Sequence, residues 1–175
     1  MAKLATLVLL LSACATAGDD NPDAAPGPDA RRVDASTEPD ARVAPPCVEG
    51  DLQVQAQDTG HCYMYFDNNT SWAAAEAACQ AVGADVFLAT ITSAQENALA
   101  SSVVPNVEVW LGGNDLVAEM TFVWVSGESF EYTNWRAGEP NNGDNEDCIT
   151  FQAQLGGVWD DRDCGDNQRV LCERD

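Results

Sequence analysis

Positive charge and histidine are scarce in this sequence. Eight Lys and Arg stand against 29 Asp and Glu, which gives a formal net charge of −21. An acidic chain repels nucleic-acid phosphates, so the composition argues against a nucleic-acid partner. No Cys-x-x-Cys pair occurs and His61 is the single imidazole, which argues against a zinc site and against a Ser-His-Asp catalytic triad.

Long apolar stretches are missing as well. The run from Leu4 to Leu11 is too short to span a bilayer as a mature helix but is typical of a signal-peptide core. Leu11-Ser12-Ala13-Cys14 resembles the lipobox of bacterial lipoproteins, which predicts a lipoprotein signal peptide over residues 1–13 and an acylated Cys14. We expect an exported protein, lipid-anchored to a bacterial cell envelope at the outer membrane or cell surface. The alternative is a plain secretory signal that discards Cys14.

Aromatic residues are absent from residues 14–46, a segment rich in proline, alanine and aspartate. Such a segment cannot bury enough apolar surface to offset the entropy lost on ordering. We therefore interpret it as a disordered, rather stiff linker that holds a domain clear of a membrane. The folded domain is expected to occupy residues 47–175.

The cysteines predict three disulfides in this domain. With Cys14 assigned to lipidation, an even number remains, as is usual in exported domains. Their spacing alone leaves the pairing open. They are Cys47, Cys62, Cys79, Cys148, Cys164 and Cys172.

Two helices and several short strands predict an α+β domain. The Ala-rich segment from Trp72 to Val82 ends at Gly83, and Ser93-Ala94-Gln95-Glu96 has the capping-box pattern of a helix that must end before Pro105. The stretch from Gly127 to Cys148, rich in Gly, Asn and acids, is long for a loop and is expected to be functional. Predicted strands are Val107–Leu111, Phe122–Val125, Cys148–Gln152, Gly157–Trp159 and Val170–Glu173.

Seven motifs, in chain order, resemble those of C-type lectin-like domains. The resemblance covers roughly Cys47 to Arg174 and implies a double-loop α+β fold with two helices, short antiparallel sheets and three disulfides. The implied pairs are Cys79–Cys172, Cys148–Cys164 and an additional N-terminal Cys47–Cys62. The motifs are HCYMYF (61–66), SWAAAEAAC (71–79), VWLGGND (109–115), NWRAGEPNN (134–142), NEDC (145–148), VWDDRDC (158–164) and VLCE (170–173).

The resemblance also implies a calcium site that holds a sugar. Ca²⁺ takes about six to eight oxygen ligands, more than one loop turn supplies. In the family the peptide bond before Pro140 is cis, so that both neighbouring residues present oxygens to the metal. The positions that match this site are Glu139, Asn141, Glu146, Asp160 and Asp161.

A second calcium site is implied beside the first. Asp115, Glu119, Asn142 and Asp147 match its ligands, and Glu146 would bridge the two sites. Asp115 and Glu119 alone would read as ordinary turn acids. The match at all four positions favours a site.

The predicted sugar contacts are Glu139, Asn141, Glu146 and Asp160. A hydroxyl on Ca²⁺ can donate to a carboxylate and accept from an amide, so an acid–amide pair satisfies each hydroxyl. Glu-Pro-Asn is the order of family members that take mannose, N-acetylglucosamine, glucose or fucose, whereas galactose-type members carry Gln-Pro-Asp. Asp160 departs from the family's Asn, and an ionised Asp cannot donate.

The resemblance therefore predicts a membrane-tethered, Ca²⁺-dependent module that binds glycans or glycoconjugates. The rival interpretation is a domain that binds a protein, or another non-sugar ligand such as ice, with calcium only structural. Paired carboxylates also suit a glycosidase. Since bound calcium would keep every acid ionised and leave no general acid, we expect a binding protein and not an enzyme.

Overall fold

The computed structural model describes residues 47–56, 59–142 and 145–175. The predicted signal peptide (1–13) and linker (14–46), with Cys14, lie outside the described residues. Within the described part, no helix is both long and apolar enough to cross a bilayer.

Both predicted helices are present. Helix α1 spans Trp72–Val82, with Trp72, Ala75 and Cys79 buried on one face at helical spacing. Helix α2 spans Ala94–Val103, and the Ser93 hydroxyl accepts a hydrogen bond from the Glu96 N–H at 3.2 Å, as the capping pattern predicts. The Glu96 carboxylate accepts from the Thr92 N–H at 2.6 Å, one residue earlier than in a standard capping box.

Eight strands form one sheet. Its order is β1-β2-β8-β4-β6-β7, with β3 paired to β8 and β5 paired to β4. Every pairing is antiparallel except β4 with β8, so the expected short antiparallel sheets are joined by one parallel pair. The strands are β1 (Leu52–Gln55), β2 (Cys62–Thr70), β3 (Val86–Leu88), β4 (Glu108–Asn114), β5 (Val123–Trp124), β6 (Cys148–Gln152), β7 (Val158–Arg162) and β8 (Gln168–Arg174).

The boundaries of β7 differ from the prediction in a way that matters for the site. The sequence predicted a strand ending at Trp159, whereas β7 continues to Arg162. Thr150 of β6 pairs with Asp160, and Ile149 pairs with Asp161. Pairing with β6 therefore places both aspartates on a strand of the sheet, although Asp is disfavoured in strands.

Three disulfides confirm the pairing implied by the family resemblance. Cys47–Cys62 joins the N-terminal segment to β2, and Cys79–Cys172 joins α1 to β8. Cys148–Cys164 closes the β6–β7 hairpin. A native disulfide in a small exported domain contributes about 2–5 kcal/mol.

Trp159 anchors the long loop to the sheet. Its fully buried ring contacts Trp124, Trp135 and Tyr132, with centroids 5.6–5.7 Å apart. On the backbone, the Trp159 N–H donates to the Asn134 carbonyl, and the Trp159 carbonyl accepts from the Arg136 N–H, each at 2.8 Å. The loop that carries the Glu-Pro-Asn motif is thereby fixed beside β7.

Candidate metal and ligand site

The first acidic group brings together Glu139, Asp160 and Asp161. One carboxylate oxygen of each lies within 4.8 Å of the others. Both aspartates are 1% exposed on β7, whereas Glu139 comes from the loop fixed by Trp159. Glu139 and the adjacent pair Asp160 and Asp161, which begins 21 positions later in the sequence, thus converge on one point.

Asp161 organises the turn around Pro140. Its two carboxylate oxygens accept hydrogen bonds from the Asn141 and Asn142 N–H groups at 3.2 and 2.7 Å. The Glu139–Pro140 peptide bond is cis, as the resemblance implies. The Asn141 side-chain amide donates a short hydrogen bond to Glu139 Oε2. The side chains of Glu139 and Asn141, the predicted ligands in this turn, therefore lie side by side.

Glu146 also lies at the first group. Its N–H donates to Asn142 Oδ1 at 3.2 Å, and its carboxylate lies 4.0 Å from Arg162 Nη1. Arg162 in turn contacts Asp160. The structure therefore brings all five residues of the predicted sugar-linked site into one region.

Two arginines that the sequence analysis missed lie in this group. Arg136 Nη2 is 2.7 Å from Glu139 Oε1 and 2.9 Å from Asp160 Oδ2. Arg162 Nη2 is 2.9 Å from the same Asp160 oxygen and 3.5 Å from Glu108. The available signal was their position, within three residues of predicted ligands in a chain with only eight basic residues.

Contact with an arginine and burial shift the pKa values of these acids in opposite directions. The hydrogen bond from Arg136 lowers the pKa of Glu139. Burial raises the pKa of Asp160 to about 6, although the charge of Arg162 opposes this shift. Asp160 Oδ2 is buried and has no well-aligned hydrogen bond, even though both guanidinium groups are close to it.

The second acidic group contains Asp115, Glu119 and Asp147, again with oxygens within 4.8 Å of one another. Asp115 is 3% exposed at the end of β4, and its N–H donates to the Asp147 carbonyl at 3.1 Å. Its Oδ2 accepts from the Met120 N–H at 2.7 Å, whereas its Oδ1 is buried without a hydrogen-bond partner. Burial raises the pKa of this carboxyl.

Asn142 was predicted to belong to the second site, but its hydrogen bonds link it to the first group. Its N–H donates to Asp161 and its side-chain oxygen accepts from Glu146. Its φ of 50° lies in the left-handed region, which asparagine tolerates. Asn142 therefore lies next to the first acidic group, close in sequence to Glu146 and Asp147, the residues that connect the two groups.

The residues present fit a hard divalent cation. The donor set consists of carboxylate and amide oxygens, the ligands that Ca²⁺ prefers. A buried carboxylate oxygen without a hydrogen-bond partner is costly, and Asp115 Oδ1 in the second group is such an atom. A cation bound there would satisfy it, whereas Asp160 Oδ2 in the first group is already paired with two arginines.

A third titratable group lies elsewhere and is explained by an ion pair. His61 Nδ1 is 2.8 Å from Glu173 Oε1, and Glu173 Oε2 accepts from the Thr90 N–H at 2.8 Å. Asp175 lies within reach of both side chains. The hydrogen bond with Glu173 raises the pKa of His61 to about 9, and burial raises that of Glu173 to about 7. This pair connects the residue before β2 to β8, the last strand.

Comparison with known proteins agrees with this geometry. The sequence profile of the family described as "Lectin C-type domain" matches residues 68–174. Lectin BRA-3 from Megabalanus rosa is 41% identical over 125 residues, which cover 71% of this chain and 76% of that protein. An alpha-N-acetylgalactosamine-specific lectin from Patiria pectinifera is 34% identical, over 65% of this chain and 74% of that protein.

The fold is also similar to that of a solved C-type lectin. The crystal structure of the C-type lectin CEL-I from Cucumaria echinata aligns with a TM-score of 0.63 and 27% identity, covering 72% of this chain and 96% of that one. All three of these proteins come from eukaryotes. From the family match and the fold, this chain belongs to the C-type lectin domain family.

Proposed function

We propose that this protein is a Ca²⁺-dependent lectin for sugars of the mannose type: mannose, N-acetylglucosamine, glucose and fucose. One observation carries the proposal, namely the convergence of Glu139, Asp160 and Asp161 around the cis Glu139–Pro140 bond. The lectin relatives support carbohydrate binding in general. The sugar class rests on the Glu-Pro-Asn order.

The chain's own residues would divide the work of binding. Glu139, Asn141, Glu146, Asp160 and Asp161 would hold the first calcium ion; Asp115, Glu119 and Asp147 would hold the second, and Asn142 would support Glu146 beside the first. Bound Ca²⁺ would supply direct coordination of sugar hydroxyls. Carboxylates would accept a hydrogen bond from each hydroxyl, and amide N–H groups would donate a hydrogen bond to the hydroxyl oxygen.

Affinity at a single site is expected to be weak, because few protein groups contact a sugar on an exposed surface. Many copies on one membrane would then act together. The same ligation supports a binding role rather than catalysis, since ionised carboxylates on a cation provide no general acid.

A glycan array with and without a chelator tests the proposal. The full chain should bind mannose-type glycans in calcium and lose the signal in EDTA. Binding that survives EDTA, or binding confined to galactose-type glycans, would contradict the proposal.

The rival function is a domain that binds a protein or other non-sugar ligand, with calcium only structural. Asp160 favours it, because a carboxylate that already contacts two arginines offers no donor to a hydroxyl. The array separates the two functions: calcium-stabilised protein without any glycan signal supports the rival.

We further propose that acylated Cys14 anchors the protein to a bacterial cell envelope, at the outer membrane or cell surface. This proposal rests on the Leu-Ser-Ala-Cys sequence alone, and the eukaryotic lectin relatives add nothing to it. Expression in a bacterial host tests it. The full chain should partition into detergent and carry acyl mass on Cys14, whereas Cys14→Ser should be released in soluble form.

A further inference from the structure

We propose that Arg162 supplies the hydrogen-bond donor that Asp160 cannot offer to a sugar hydroxyl, and is thus a specificity-determining residue. The inference rests on the proposed lectin function and concerns the same site. It explains how the site could hold a neutral sugar although one family amide is a carboxylate here.

The predicted sugar contacts offer more hydrogen-bond acceptors than donors. Each hydroxyl held on a cation needs one acceptor and one donor. Glu139 and Asn141 form such a pair, since the Asn141 amide donates to Glu139 Oε2. The remaining predicted contacts, Glu146 and Asp160, are both carboxylates. Two acceptors without a donor satisfy only one side of a hydroxyl.

Arg162 lies between these two carboxylates. Its Nη2 is 2.9 Å from Asp160 Oδ2, and its Nη1 is 4.0 Å from Glu146 Oε1. Strand geometry explains this position, because residues two apart in β7 share one face. The Arg162 side chain is 33% exposed, although its Nε is buried without a hydrogen-bond partner, so the proposed donor is one of the terminal Nη groups.

A guanidinium group suits this role chemically. It carries five N–H donors in a fixed plane, so one can remain on Asp160 while another turns to a ligand oxygen. The 4.0 Å gap to Glu146 is too long for a hydrogen bond. Nη1 is therefore in an ion pair with Glu146 without a hydrogen bond to it, and it could donate to a hydroxyl held between Glu146 and Asp160.

Arg136 is less suited to complete the second pair. Its Nη2 lies between Glu139 and Asp160, and it contacts Glu139 at 2.7 Å. Glu139 already has its amide donor in Asn141. Of the two arginines, Arg162 is the one with ion-pair contacts to both Asp160 and Glu146.

The proposal predicts that Arg162 matters only while residue 160 is a carboxylate. The full chain is prepared as wild type, Arg162→Met, Arg162→Lys, Asp160→Asn and the double variant Asp160→Asn/Arg162→Met. Methionine keeps the aliphatic stem of the arginine. Arg169→Met is the matched control, because Arg169 is 37% exposed in an ion pair with Asp67 on β2 and loses the same charge.

Mannose affinity in calcium is measured by titration calorimetry, and calcium affinity is measured without sugar. Arg162→Met should lower mannose affinity about tenfold, the equivalent of one hydrogen bond to a charged donor, and Arg162→Lys should restore part of it. In the Asp160→Asn background the same substitution should change mannose affinity less than about twofold. Calcium affinity of Arg162→Met without sugar should equal or exceed that of wild type, since a competing cation is removed.

The outcomes separate the two proposals. Equal mannose affinity of wild type and Arg162→Met, or an equal loss in both residue-160 backgrounds, overturns the role of Arg162 and leaves the lectin function intact. A loss of calcium affinity in Arg162→Met also overturns it, because the residue would then act through the metal. A wild-type chain that binds calcium but no sugar contradicts the lectin function itself, and the inference falls with it.

Discussion

Asp161 holds the turn around Pro140 against β7. It is 1% exposed, and its two carboxylate oxygens accept hydrogen bonds from the Asn141 and Asn142 N–H groups. These bonds place Glu139 and Asn141, two of the predicted ligands, beside the two aspartates of β7.

Asn141→Asp tests the donor role of the amide. The substitution adds a carboxylate beside Glu139 and removes the N–H donor, so sugar retention on a mannose column should be abolished. The fold should persist, because the Asn141 backbone N–H still binds Asp161. Circular dichroism checks the fold, and unchanged retention would count against direct coordination of the sugar.

His61 and Glu173 give the fold a pH dependence remote from the site. The His61 pKa rises from 6.5 to about 9, so its stabilising contribution is complete below pH 6.5 and is lost as pH rises through 9. The Glu173 pKa rises from 4.5 to about 7, because burial favours the neutral acid, so its contribution is complete below pH 4.5 and is lost as pH rises through 7, mostly below the window of His61. Both contributions therefore decrease in the same direction.

The expected result is a wild-type free energy of unfolding that falls between pH 6.5 and 9 by about 1–2 kcal/mol through this pair, allowing for partial exposure of His61. Urea denaturation at several pH values measures it. The double variant His61→Gln/Glu173→Gln carries neither titrating group and should show a shallower decline. Parallel pH profiles for the two proteins would contradict this assignment.

At the scale of elements, local patterns predicted the helices well and the strands less well. Helix α1 has the predicted limits because its alanines favour a helix and Gly83 follows. Gly83 itself is extended, so it ends the helix without the left-handed conformation common after helices. Strands β1 and β3, of four and three residues, went unpredicted because such short segments carry little periodicity.

The candidate site, like the fold, was predicted only in part from the sequence. The predicted ligands came from the family resemblance, and the structure brings Glu139, Asp160 and Asp161 together as that resemblance implies. The contacts of Arg136 and Arg162 were not readable. A long flexible side chain in an acidic surrounding has several candidate partners, and the three-dimensional position of β7 decides among them. Asp115 was predicted as a ligand, but that its Oδ1 is buried without a hydrogen-bond partner is visible only in the fold.

Ser93 tests the contribution of one helix cap. Ser93→Ala removes the acceptor of the Glu96 N–H and should lower the free energy of unfolding by about 1 kcal/mol. Ser102→Ala, the same substitution near the other end of α2, is the control and should change it by less than about 0.5 kcal/mol, since alanine is the better helix former there. Chemical denaturation measures both. Equal losses would show that the cap is not what stabilises the start of α2.

At the scale of the whole molecule, the core of the fold and the proposed metal site are built from different side chains. The disulfides and the core around Trp159 contain none of the predicted calcium ligands. The two acidic groups are expected to depend on a cation, because their carboxylates repel one another in a chain of net charge −21, with two arginines as partial counter-ions in the first group. Calcium is therefore expected to stabilise an already folded domain and to order its long loop.

The most direct test of this account is a calcium titration of the purified, chelator-treated protein at neutral pH. Calorimetry should show uptake of one or two ions, and the melting temperature should rise with calcium, by about 10 °C at a hundredfold excess over the dissociation constant. A protein that shows neither calcium uptake nor thermal stabilisation at millimolar calcium would contradict the central claim.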